Sequence, residues 1–112
     1  MYDLYQDLQK KIKELDVSVK ALRQTGTDYA QAEMDYKIAL SKETVELRNE
    51  GMAVTMIPLV IYGKDHIAKL RFKRDVAEAV YNANQESINA IKLQIRIIEG
   101  QINREMGQAK YE

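Results

Sequence analysis

The amino-acid sequence predicts an all-α fold, a long antiparallel helical hairpin with a short helix or apolar loop at its tip. Turn residues are scarce, with one Pro and five Gly in 112 residues, whereas a sandwich or barrel needs a turn every ~8–12 residues. Two stretches repeat seam residues at alternating spacings of four and three, which keeps one stripe of each helix turned toward a partner helix. Between them lies an apolar segment bracketed by Gly51 and Gly63, and glycines suit helix C-termini.

The first helix is expected over about residues 3–50. Its seam runs through Leu8, Ile12, Leu15, Val19, Leu22, Gly26, Tyr29, Glu33, Tyr36, Leu40, Glu43 and Leu47. Thr25-Gly26-Thr27 looks like a break, yet the phase is the same on both sides, and a loop seldom preserves register. A helical Gly costs only about 1 kcal/mol, so one continuous helix, kinked or weakened here, is expected over two separate helices.

The connection, residues 51–64, is expected to hold a short helix near 56–62, with Thr55 as its N-cap and Pro58 in its first turn. Val54, Val60, Ile61 and Tyr62 also favour a strand, which makes a short extended segment the alternative.

The second helix is expected over about 65–106, with Asp65 as a possible cap. Its seam is Ile67, Leu70, Arg74, Ala77, Tyr81, Asn84, Ile88, Ile91, Ile95, Ile98 and Ile102. Glu99, Glu105 and Lys110 keep its far end soluble, and Gly100 and Gly107 predict fraying there. Folding the chain about residue 57 sets Gly26 near Ile88 and Leu8 near Met106. Apolar residues beyond the seam at Ala90, Leu93 and Ile97 widen the face. The segment Ile88, Ile91, Leu93, Ile95, Ile97 and Ile98 is therefore the expected oligomer interface, and a dimeric four-helix bundle the simplest assembly.

Charged residues form 30% of the chain and hydrophobic ones 46%, the balance of a folded protein of one domain. A formal net charge of zero removes any global field toward nucleic acid or anionic membrane. With no Cys, disulfides, thiolate catalysis and Cys-based zinc sites are all excluded. The segment Met1-Tyr2-Asp3-Leu4-Tyr5 does not read as a secretory signal, and no apolar run approaches the ~20 residues that span a bilayer. The expected location is cytoplasmic.

Phosphate-loop, H-E-x-x-H and nucleophile-elbow motifs are absent, and no enzyme activity, cofactor or metal is expected. The single His66 has no second His at helical spacing and reads as an exposed or capping residue. Glu33 and Glu43 stand ten residues apart on one helix, about 15 Å, too far for an acid–base dyad. Together with Arg74 and Asn84 they instead form polar seam positions. The fold about residue 57 puts Glu43 near Arg71 and Arg74, and Glu33 near Tyr81 and Asn84. Such a layer sets helix register, or forms a polar cleft if left partly solvated.

Two surfaces remain for a function. The tip concentrates Met52, Val54, Met56, Ile57, Leu59, Val60 and Ile61, which either pack on their own bundle or meet an external partner. The segment Lys64, Lys69, Arg71, Phe72, Lys73 and Arg74 is basic, with Phe72 available to stack on a base, and is a candidate nucleic-acid surface. Glu43, Glu46 and Glu50 lie at the same height and are expected to neutralise much of it.

The runs Leu47-Arg48-Asn49-Glu50-Gly51-Met52, Tyr62-Gly63, Leu70-Arg71-Phe72-Lys73-Arg74-Asp75-Val76-Ala77-Glu78-Ala79-Val80-Tyr81 and Arg104-Glu105 form a pattern. It resembles small uncharacterised helical proteins encoded in prophages of Gram-positive bacteria. The resemblance implies a phage accessory protein of the bacterial cytoplasm, associated with replication or recombination, and carries no site residues. WXG-type secreted hairpins share the shape, but this chain has no Trp, which argues against secretion.

Overall fold

The computed structural model describes residues 3–111, with side chains described for 3–107. Helix α1 spans Leu4–Asn49, α2 Ile57–Ile61 and α3 Asp65–Tyr111. No strand occurs among the described residues, so the connection is not extended. Lys110 lies outside the described side chains.

Helix α1 starts where Asp3 Oδ1 accepts the backbone N–H groups of Tyr5 and Gln6 at 3.0 and 3.2 Å, which satisfies two otherwise orphaned donors. It is unbroken through Thr25-Gly26-Thr27. Its end is fixed by Gly51, whose φ of 90° only glycine adopts without strain. Gly51 N–H donates to Arg48 O and Met52 N–H to Leu47 O, each at 3.0 Å, the paired bonds of a Schellman stop. Helix α2 starts after Met56 rather than after Thr55, and no side chain caps it. The turn bonds of Met56 and Ile57 to Ala53 O take over that role. Asp65 is itself the first residue of α3 and pairs forward with Lys69 at 2.9 Å instead of capping the helix. Helix α3 continues through Gly100 and Gly107 to Tyr111, beyond the expected end.

The chain divides into two compact units. In the unit Thr25–Tyr81, the stretches of α1 and α3 pack antiparallel and α2 closes the end. Its core is Tyr36, Leu47, Ile57, Ile61 and Ile67, flanked by Ala39, Leu40, Met52 and Leu70. Leu47 and Ile67 are fully buried.

Register in this unit differs by one heptad of α3 from a fold about residue 57. Tyr81, not Ile88, lies against Gly26; Arg74, not Tyr81 or Asn84, meets Glu33; Lys64 and His66, not Arg71 and Arg74, meet Glu43. The cause is α2. Ile57 and Ile61 pack in one cluster with Leu47, so the last turns of α1 are covered by α2 and α3 begins beside Glu43.

The other unit comprises residues 3–24 and 82–111. Leu4, Ile88, Ile91 and Ile102 are buried there, and Leu8, Leu15, Leu22, Ile95 and Ile98 are half-buried. The α3 seam is the one the spacing predicts, but the α1 stripe is rotated by a residue at alternate positions. Ile12 and Val19 are 50% and 48% exposed, while Lys11 and Ser18 take the half-buried places. Asn84 Nδ2 donates to the backbone carbonyl of Ser18 at 2.9 Å, which ties the side of α1 that carries Ser18 to α3. The same rotation recurs in Thr25–Tyr81, where Ala32 is buried beside a half-buried Glu33.

Candidate functional site

The basic segment is largely paired within its own unit. Lys64 Nζ lies 2.9 Å from Glu43 Oε1, and His66 Nε2 lies 3.2 Å from Glu43 Oε2. Glu43 is 6% exposed, the only buried charged side chain among the described residues. The hydrogen bond from Lys64 holds its carboxyl below the usual carboxylate range, against the opposing effect of burial. That same bond raises the Lys64 ammonium above its ordinary value. A buried carboxylate is tolerated only with such partners.

Further along α3, Arg74 Nη1 reaches Glu33 Oε2 at 3.3 Å, and its Nε reaches Asp75 Oδ1 at 2.9 Å. Its guanidinium lies 4.8 Å from the centre of the Tyr36 ring, a cation–π contact that fixes the fork. Glu33 is also bonded to Lys37, and that bond is the main cause of its lowered pKa. Arg71 lies over the Tyr62 ring at 5.5 Å. Of the candidate nucleic-acid residues, Lys64, Lys69 and Arg74 are thus in ion pairs and Arg71 is stacked. Phe72 is 71% exposed, and Lys73 is exposed on the same helix.

The tip residues divide into two sets. Ile57 and Ile61 belong to the core, and Met52 and Val60 are half-buried. Val54, Met56 and Leu59 face solvent at 67%, 47% and 75% exposure. A cleft of about 240 Å³ beside them is lined by residues including Leu40, Thr44, Ile57 and Tyr62. The Thr44 hydroxyl there is directed into its own helix, donating to Leu40 O at 2.7 Å, so the cleft offers apolar contact more than directed polar recognition.

The expected oligomer face divides as well. Ile88 and Ile91 are buried within the chain's own unit, and Ile95 and Ile98 are half-buried. These four belong to the inner seam, where they pack within the chain's own unit. Leu93 and Ile97 stand outside at 54% and 53% exposure. They belong to a row of Ala83, Glu86, Ala90, Leu93, Ile97 and Gly100, all but the half-buried Gly100 exposed, of which the sequence singled out only Ala90, Leu93 and Ile97, as a widening of the seam face. Its spacing repeats the four-and-three alternation, but small residues at half its positions make it faint beside the isoleucine seam.

Among the described residues no group of three His, Cys, Asp or Glu is placed to hold a metal ion. No helix among them is long and apolar enough to cross a membrane. Comparison of the chain with protein-family models, curated proteins and solved structures finds no match.

Proposed function

We propose that this chain is a non-enzymatic helical module that associates with itself and presents an apolar tip to a protein partner. The observation that carries the reading is the quantity of large apolar side chain that the two cores leave in solvent. Leu59 at 75%, Val54 at 67%, Leu93 at 54% and Ile97 at 53% are exposed while neighbouring Ile57, Ile61, Ile88 and Ile91 are buried. Grouped apolar exposure of this kind marks interaction surfaces. The prophage resemblance supports a cytoplasmic accessory role beside phage replication or recombination, with a host or phage protein at the tip.

Light scattering across micromolar concentrations tests the self-association. A species heavier than the 12.9 kDa chain, with a dimer as the expected size, supports the reading. A well-folded monomer at the highest concentration overturns it.

One observation favours a nucleic-acid accessory factor as a second reading. Phe72 is 71% exposed between Arg71 and Lys73, an arrangement suited to base stacking with phosphate contact. The pairing of Lys64, Lys69 and Arg74 with acidic neighbours weighs against it.

A further inference from the structure

We propose that the outer row of α3 in the unit of residues 3–24 and 82–111 seats the same row of a second copy, running antiparallel. This rests on the self-association reading and adds to it a face and a register.

Along one helix, Ala83, Glu86, Ala90, Leu93, Ile97 and Gly100 alternate in steps of three and four. That period places them on one stripe, roughly opposite the inner seam of Ile88, Ile91, Ile95 and Ile98. The inner stripe is occupied by α1, and the outer one is open. The two large members, Leu93 and Ile97, are both more than half exposed.

The composition of the row fits a copy of itself. A two-fold axis passing between Ile91 and Lys92 sets Ala90 against Leu93 of the second copy, a small residue against a large one. It sets Ala83 against Gly100, which lets the backbones approach closely where the row ends. A slip of one heptad stacks Leu93 on Ile97 and Ala90 on Gly100, alternating wide and narrow layers that two straight helices cannot both fill.

Charge complementarity points to the same register. Glu86, the one charged residue in the row, falls opposite Ile97 and beside Arg96 of the second copy, and the axis makes this pair twice. Glu86 and Arg96 are both exposed, and neither is in an ion pair among the described residues. They cannot pair within one chain, since ten residues of helix separate them by about 15 Å. The acid that would otherwise spoil the apolar row thus becomes the element that sets antiparallel register, a use of polar seam residues known from coiled coils.

The test is a charge reversal read by sedimentation equilibrium of the full chain. Glu86→Arg alone and Arg96→Glu alone should each weaken dimerisation by about tenfold or more, since each sets like charges together. The combined variant should return to near wild-type affinity. Leu93→Asp with Ile97→Asp should give a folded monomer, with unchanged helicity by circular dichroism confirming that the unit is intact. Failure of the combined variant to recover, or a full dimer from Leu93→Asp with Ile97→Asp, overturns the face and register while self-association stands. Recovery by Arg104→Glu in place of Arg96→Glu overturns the register. A monomeric wild type overturns this inference together with the reading on which it rests.

Discussion

Lys64 Nζ sits 2.9 Å from Oε1 of Glu43, so the residue that precedes α3 is tied to a carboxylate in the core of its unit, with His66 on the second oxygen. The arrangement also places a negative charge near the N-terminal end of α3, where the helix dipole favours it.

This pair predicts how stability depends on pH. The Glu43 carboxyl titrates below its ordinary value of 4.5 in the folded chain, so its contribution is complete above that value and is lost as pH falls through the folded pKa. The Lys64 ammonium titrates above its ordinary 10.5, so its contribution is complete below that value and is lost as pH rises through the folded pKa. Thermal melts of wild type and Glu43→Gln should differ most near neutrality. The difference should narrow in acid and in strong alkali, and a gap that does not vary with pH refutes the assignment.

Burial separates the apolar residues of α3 in the unit Thr25–Tyr81. Ile67 is fully buried, whereas Phe72 is 71% exposed. Ile67→Ala should cost about 2–5 kcal/mol in urea unfolding, and Phe72→Ala should fall within about 0.5 kcal/mol of wild type. Comparable losses from both would mean that Phe72 is covered in solution.

The tip predicts a division between stability and binding. Ile57→Ala should destabilise the fold by about 2–5 kcal/mol, because it opens a cavity beside Leu47 and Ile61. Val54→Asp with Leu59→Asp should leave helicity and melting near wild type, because both positions are more than 65% exposed. If the tip holds a protein partner, that exposed pair abolishes capture. A large drop in melting temperature from the exposed pair would place Val54 and Leu59 in a core.

Nucleic-acid binding, if present, depends on the residues left outside the ion pairs. Arg71→Glu with Lys73→Glu should remove any salt-sensitive affinity for single-stranded DNA measured by anisotropy. Absence of affinity in the wild type at low salt would eliminate that reading.

The sequence determined the helices themselves. The alternating spacing from Ile67 to Ile102 survives intact as the inner stripe of α3, and continuity through Gly26 follows from the shared phase on either side. Gly51 stopped α1 because its φ of 90° is open to glycine. These are local properties, set by backbone preference and by which face of a helix is apolar, and they can be read one segment at a time.

Register and exposure were decided by tertiary structure. Spacing along α1 does not tell whether Val19 or Ser18 faces inward, because rotation by one residue keeps the same period. The contact that goes with the observed rotation is a tertiary one, from Asn84 to the backbone carbonyl of Ser18. Nor does the midpoint of the connection locate the pairing of α1 with α3, because α2 covers the end of α1 and shifts the partner of Glu43 from Arg71 to Lys64. Ile57 and Leu59 stand two residues apart in one apolar run, yet at 5% and 75% exposure. Hydrophobicity is common to both, and only the position of Leu47 against the face of α2 makes one core and leaves the other in solvent.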